Sequence, residues 1–236
     1  MCAKRISKYD LTDNEKSYLI GLLNEARQII KDYRYTDFDS SDSEIIYSRN
    51  NHDLTTAICD GLYAVYIMHM SGIKSRTTLR KGTKNYIKRY YKNGKVQQID
   101  CYVDGKPDIT YMAYYKENKR YLMPFYPDSK KPSIAYTCVT VYKNNFITEE
   151  YMVNDSQIVY YRYNKLPDLF FRMLHINYAP EGTYPVLCCE LGILRITDKL
   201  EYKTLSDYSW YSEFDAERKN IPFPDTDIPI LKRIDC

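Results

Sequence analysis

The sequence predicts an α+β fold in which N-terminal helices pack on a long antiparallel β-meander, followed by a C-terminal mixed α/β segment. Three observations predict it. Apolar residues recur at helical spacing near the N-terminus, and short runs rich in Tyr, Val, Ile and Thr alternate with turn residues from about residue 85 to residue 163. The third is composition: 27 of the 236 residues are tyrosine, against seven phenylalanines and one tryptophan. Tyrosine joins aromatic bulk to a polar end, so it suits half-buried strands and broad contact surfaces better than a wholly apolar interior. The length suits a single α+β domain over residues 1–236, with a helical part at 1–72, the antiparallel sheet at 85–163 and a mixed segment with an extended tail at 164–236.

The first helix opens on Thr12-Asp13-Asn14-Glu15, a capping box in which the Thr12 hydroxyl and the Glu15 carboxylate each satisfy a backbone donor. Behind it Leu19, Leu22, Leu23, Ala26, Ile29, Ile30 and Tyr33 form one apolar stripe to about residue 33. Residues 36–44 are short, acidic and polar, as a surface loop is. A second helix is expected from Asp53 to Met70, with Leu54, Ala57, Ile58, Leu62, Val65 and Met68 inward, a cap at Asn50 or Asn51 and a stop at Ser71-Gly72. Some six strands follow, joined by turns at Asn93-Gly94, Asp104-Gly105, Glu117-Asn118, Asn144-Asn145 and Asn154-Asp155-Ser156. Leu166–Leu174 then reads as a short helix beginning near Pro167. Val186–Cys189 and Ile193–Ile196 read as two buried strand pieces broken by Gly192, and Thr204–Arg218 as a last helix. The tail from Ile221 carries three prolines before Leu231 and is expected to lie extended along the body.

The net charge of +3 is too small to require a polyanionic partner for the whole molecule, so any such function depends on where the charges sit. Seven scattered cysteines with no Cys-x-x-Cys pair fit neither a disulfide framework nor a zinc knuckle. Three histidines without ligand spacing give no metal expectation, and phosphate-loop, dinucleotide and nucleophile-elbow motifs do not occur, so no cofactor is expected. Cys188-Cys189-Glu190 with His175 has the composition of a thiol nucleophile with a base and an orienter, but cysteine in an apolar run is ordinarily a small buried hydrophobe. The polar N-terminus does not read as a secretory leader. The longest nearly apolar run, Leu62 to Met70, is nine residues long, short of the roughly 20 that span a bilayer. The expected compartment is the cytoplasm.

From Lys74 to Lys95 the chain carries nine Lys or Arg and no acid, with Tyr86, Tyr90 and Tyr91 interleaved. Arg89-Tyr-Tyr-Lys-Asn-Gly-Lys95 lies over Ala113-Tyr-Tyr-Lys-Glu-Asn-Lys119 at a step of 24 residues, with looser echoes at Val141–Asn144 and Tyr160–Asn164. Over residues 89–163 this stretch resembles the tyrosine-rich hairpin repeats of MORN-like antitoxin proteins. Tyr90-Tyr91-Lys92-Asn93-Gly94-Lys95 and Asp104-Gly105-Lys106 match one unit, and the next unit departs from it with Asn118 in place of glycine.

These features favour a binding protein over an enzyme: an immunity- or antitoxin-like protein that neutralises a partner protein, a toxin or a host factor, by occlusion. Tyr90, Tyr91, Tyr114 and Tyr115 are the expected aromatic anchors, and Lys88, Arg89 and Lys92 are expected to steer an acidic partner. Two alternatives stand beside this reading. One is a nucleic-acid binder or metal-dependent nuclease that uses the 74–95 tract with carboxylates of the 37–44 loop. The other is a viral or phage protein that binds a host defence factor.

Overall fold

A computed structural model describes residues 11–50, 58–59, 74–144, 146–165, 170–182, 186–196 and 200–209. Helix α1 spans Asp13–Asp32 and starts as the capping box requires: Thr12 Oγ1 accepts the Glu15 amide, and Glu15 Oε2 accepts the Thr12 amide at 2.7 Å. Its buried stripe is Leu19, Leu22, Leu23, Ala26 and Ile30, the spacing that puts one helix face on a neighbouring layer.

Eleven strands make one sheet, each hydrogen-bonded to the next in chain order: β1 (Glu44–Arg49), β2 (Tyr86–Lys92), β3 (Lys95–Val103), β4 (Lys106–Lys116), β5 (Lys119–Phe125), β6 (Thr137–Lys143), β7 (Phe146–Val153), β8 (Ile158–Lys165), β9 (Phe170–Tyr178), β10 (Val186–Ile196) and β11 (Leu200–Ser209). Every pairing is antiparallel. The tight turns follow from residue type. Asn93 and Gly94 both take positive φ (53° and 70°), as do Asp104 and Gly105 (50° and 76°), which is the backbone of the two-residue hairpin whose twist matches that of the strands.

Each face of the sheet carries a buried cluster among the described residues. On the first, α1 packs on Met112, Tyr121, Met123, Phe125, Val139, Tyr151, Tyr160 and Ile176. On the second, Ile58 and Cys59 lie against Ile87, Ile99, Cys101, Tyr111, Leu122 and Cys138. Tyrosine does the work of core residues here: Tyr111, Tyr121, Tyr151 and Tyr160 are all fully buried. Part of the cost of burying phenols is met by two carboxylates at the helix–sheet joint. Glu25 accepts from Tyr121 Oη at 2.7 Å and pairs with Lys119 at 2.6 Å, while Glu149 accepts from both Tyr18 and Tyr160. Burial alone would raise the Glu25 carboxyl, but Lys119 and Tyr121 together hold it below its usual value.

Several sequence expectations are corrected. Glu44, read as the last residue of a loop, begins β1, an edge strand paired with β2. Residues 170–174, expected to be helical, belong to β9, and residues 204–209, expected to start a last helix, belong to β11. Among the described residues, therefore, the segment after Lys165 is sheet and not mixed α/β. Phe170–Leu174 is apolar except for Arg172 and too short to fix a period, so pairing with β8 decides it. Gly192 does not break a strand but marks a register shift between β10 and β11, a usual role for glycine in a strand interior. The second helix lies outside the described residues except for Ile58, which is helical, and Cys59; the tail beyond Ser209 lies outside them altogether. Among the described residues no helix is long and apolar enough to cross a membrane.

Candidate functional site

The expected aromatic anchors do not share one surface, because neighbouring residues of a strand face opposite ways. Tyr90 is 7% exposed, with its ring edge against Phe38 at 6.0 Å and Lys88 Nζ 4.5 Å from its centroid. Tyr114 is half-buried and packs against the α1 core, on Tyr33 and Tyr121. Tyr91 and Tyr115 lie on the other face, half-buried, and Tyr115 donates to the Val96 carbonyl at 2.8 Å. Arg89 is buried and donates to Ser48 Oγ at 2.7 Å, while Lys92 is half-buried at the hairpin end.

The basic tract does form a site. Residues 74–85 fold back over β1 and β3: Tyr47 and Arg76 exchange backbone hydrogen bonds of 2.7 and 2.8 Å, the Gly105 amide donates to the Lys84 carbonyl, and the Asp104 amide donates to Asn85 Oδ1. The result is a groove of about 580 Å³ whose walls carry Arg49, Lys74, Arg76, Arg80 and Lys84 against one carboxylate, Asp104. Beside it, on the α1 side of the sheet but outside the core that α1 forms, stands a tyrosine cluster. Tyr86 and Tyr102 stack at 4.3 Å and 11°, and Tyr47 leans on Tyr86 at 6.2 Å. All three are half-buried; burial first, and then nearby groups including Asp100, raises the phenols of Tyr86 and Tyr102, so both stay neutral. Asp37 of the acidic loop lines a separate groove of about 770 Å³ with Arg34, Asp108 and Asp128. Asp37 thus lines a groove other than the basic one.

A second constellation had no warning in the sequence reading. The register sets one residue from each of six consecutive strands in a row on the second face: Tyr115, Arg120, Thr140, Glu150, Tyr161 and His175, with Glu190 and Asp207 continuing it in the backbone pairing of β10 and β11. Arg120, Thr140 and Glu150 are buried, at 2%, 0% and 1% exposure. Arg120 Nη2 donates to Thr140 Oγ1 at 2.8 Å, and Thr140 Oγ1 donates to Glu150 Oε1 at 3.1 Å. Over this row sit two thiols, Cys59 and Cys138, with their sulfurs 3.7 Å apart. The signal that would have found the row is the turns: counting back equally from Glu117-Asn118 sets Tyr115 opposite Arg120.

The register places His175 opposite Glu190 and Cys189 opposite Ile176. The His175 ring stacks on Tyr161 at 4.6 Å, and burial lowers its pKa to about 4. In the unfolded chain histidine titrates near 6.5, so between these values the unfolded state binds the extra proton and folding stability falls as pH drops. The ring keeps some solvent contact, which holds the loss to about 1–3 kcal/mol. Urea midpoints at pH 7 and pH 4.5 should show this fall in the native chain and a smaller one in His175→Phe; equal falls would remove His175 as the cause.

Comparison with known proteins gives no match: no family model, no curated protein and no solved structure is similar to this chain.

Proposed function

We propose that the chain is a cytoplasmic binding protein of the immunity or antitoxin kind, which neutralises a partner protein by laying a tyrosine- and cation-rich surface over an acidic region of that partner. The observation that carries this reading is the groove lined by Arg49, Lys74, Arg76, Arg80 and Lys84 beside the Tyr47–Tyr86–Tyr102 cluster. Half-buried tyrosines held by their neighbours lose little further freedom on binding, and arginine and tyrosine are the residues that dominate binding energy at protein interfaces. The tyrosine-rich hairpin resemblance of residues 89–163 points the same way. The anchors of this reading move from Tyr90, which is buried, and Tyr114, which is engaged with Tyr33 and Tyr121 beside α1, to the cluster at the groove, while Lys88 on the same face keeps its steering part. A toxin and a host defence factor are equivalent partners in these terms.

The test is co-expression of the tagged chain with the product of the adjacent gene and capture at about 0.15 M salt. The native chain should retain that protein, and Arg76→Glu/Arg80→Glu/Lys84→Glu should weaken retention by about 10–100-fold, on the order of 1 kcal/mol per reversed charge. Retention untouched by the triple reversal overturns the reading. So does a salt-sensitive shift of DNA or RNA oligonucleotides that the triple reversal abolishes, which would assign the groove to phosphates.

A further inference from the structure

We propose that Cys59, Cys138 and Glu150 are the protein ligands of a divalent, thiolate-preferring metal ion, with Zn2+ the first candidate, which fastens the Ile58–Cys59 segment to the second face of the sheet. The two sulfurs and a Glu150 carboxylate oxygen all lie within 4.8 Å of one another, and all three residues are buried. The sulfur separation is 3.7 Å. A tetrahedron with metal–sulfur bonds of about 2.3 Å has edges of about 3.8 Å, so both thiolates reach one ion with little movement. A disulfide would instead need the sulfurs to close to about 2.05 Å and would leave Glu150 without a part.

The surroundings match a metal centre in two further respects. Ligating carboxylates are held by hydrogen bonds from a surrounding shell, and Thr140 Oγ1 donates to Glu150 Oε1 while being held in turn by Arg120 Nη2. The formal charges of two thiolates, one carboxylate, a divalent cation and the Arg120 guanidinium cancel, so the loaded site is neutral although it is dry. Tyr111, fully buried in the same core as Cys59 and Cys138, helps to close the site from solvent. Hard cations such as Ca2+ and Mg2+ are disfavoured by the two sulfurs.

The experiment uses the full chain, purified with reductant, stripped with a chelator and dialysed against Zn2+ or Co2+ alone. The expected result is one tightly held equivalent, a rise in melting temperature with Zn2+, and a thiolate-to-metal charge-transfer band with tetrahedral d–d bands in the Co2+ form. X-ray absorption of the Zn2+ form should report two sulfur neighbours at about 2.3 Å with the remaining neighbours oxygen at about 2.0–2.2 Å. Cys59→Ser/Cys138→Ser should abolish uptake, and Thr140→Val, which removes no ligand, should weaken it by about 10–100-fold. Should the cysteine variant not fold, the absorption spectrum of the native chain and the Thr140→Val affinity decide. No uptake, a coordination with no sulfur or with four, affinity unaltered by Thr140→Val, or a Cys59–Cys138 disulfide in chain purified without oxidant each overturns the assignment.

Discussion

Arg120→Ala is expected to destabilise the metal-free protein by about 3–5 kcal/mol, enough to leave many domains of this size largely unfolded. The guanidinium is 2% exposed and reaches Glu150 through Thr140. Its removal takes a nearby cation away from the buried Glu150 carboxylate, and a buried charge that loses its counter-charge is among the costliest defects a core can hold. The double change Arg120→Met/Glu150→Leu removes both charges while keeping apolar volume, and should recover most of the loss. Urea denaturation of the three chains is the measurement. A loss under about 1 kcal/mol for Arg120→Ala would show that the row is not electrostatically coupled, and failure of the double change to recover would assign the effect to packing.

The second large effect is a split between two changes at one position. Tyr151 is fully buried under α1, and its hydroxyl has no hydrogen-bond partner among the described residues. Burial pushes the phenol far above its ordinary range, so it carries no charge at any ordinary pH. Tyr151→Phe keeps the ring and deletes an unsatisfied polar atom, and should leave stability unchanged or raise it by about 1–3 kcal/mol. Tyr151→Ala empties the ring's volume and should cost about 3–5 kcal/mol. Tyr160→Phe is the control: it loses the 3.1 Å bond to Glu149 and should cost about 1 kcal/mol. Thermal melts of the three variants read these effects, and a Tyr151→Phe as damaging as Tyr160→Phe would show that the Tyr151 hydroxyl has a partner after all.

How much of this was legible in the chain depends on whether the signal was local. The capping box at Thr12 and Glu15, the stripe of α1 and the Asn-Gly and Asp-Gly turns are each decided within a few residues, and each stands where the sequence places it. Phe170–Leu174 and Thr204–Ser209 carry no such decisive local signal; neighbouring strands settle them. The basic groove was half legible: Lys74, Arg76, Arg80 and Lys84 lie close together in the chain, but Arg49 comes from β1 and is brought to them by the backbone pairing of Tyr47 with Arg76. The Arg120–Thr140–Glu150 row was invisible because its members lie ten to twenty residues apart and only the register joins them. The tyrosine pairs were misjudged for a related reason. A Tyr-Tyr step places one ring on each face, and each face of this sheet carries a buried cluster.

The unbroken order of the strands also bears on how the chain reaches its native state. From β3 onward each strand pairs with its predecessor, so pairing can spread strand by strand along the chain, the regime of low contact order and fast local folding; the β1–β2 pairing, across residues 50–85, is the long closure. Helix α1 obeys the opposite logic. Its ties to the sheet bridge 94 residues from Glu25 to Lys119 and 131 from Tyr18 to Glu149. Made before the sheet, the helix has no complete docking surface until β9 has emerged, and its apolar stripe must wait in solvent or in a chaperone's keeping while the strands are made.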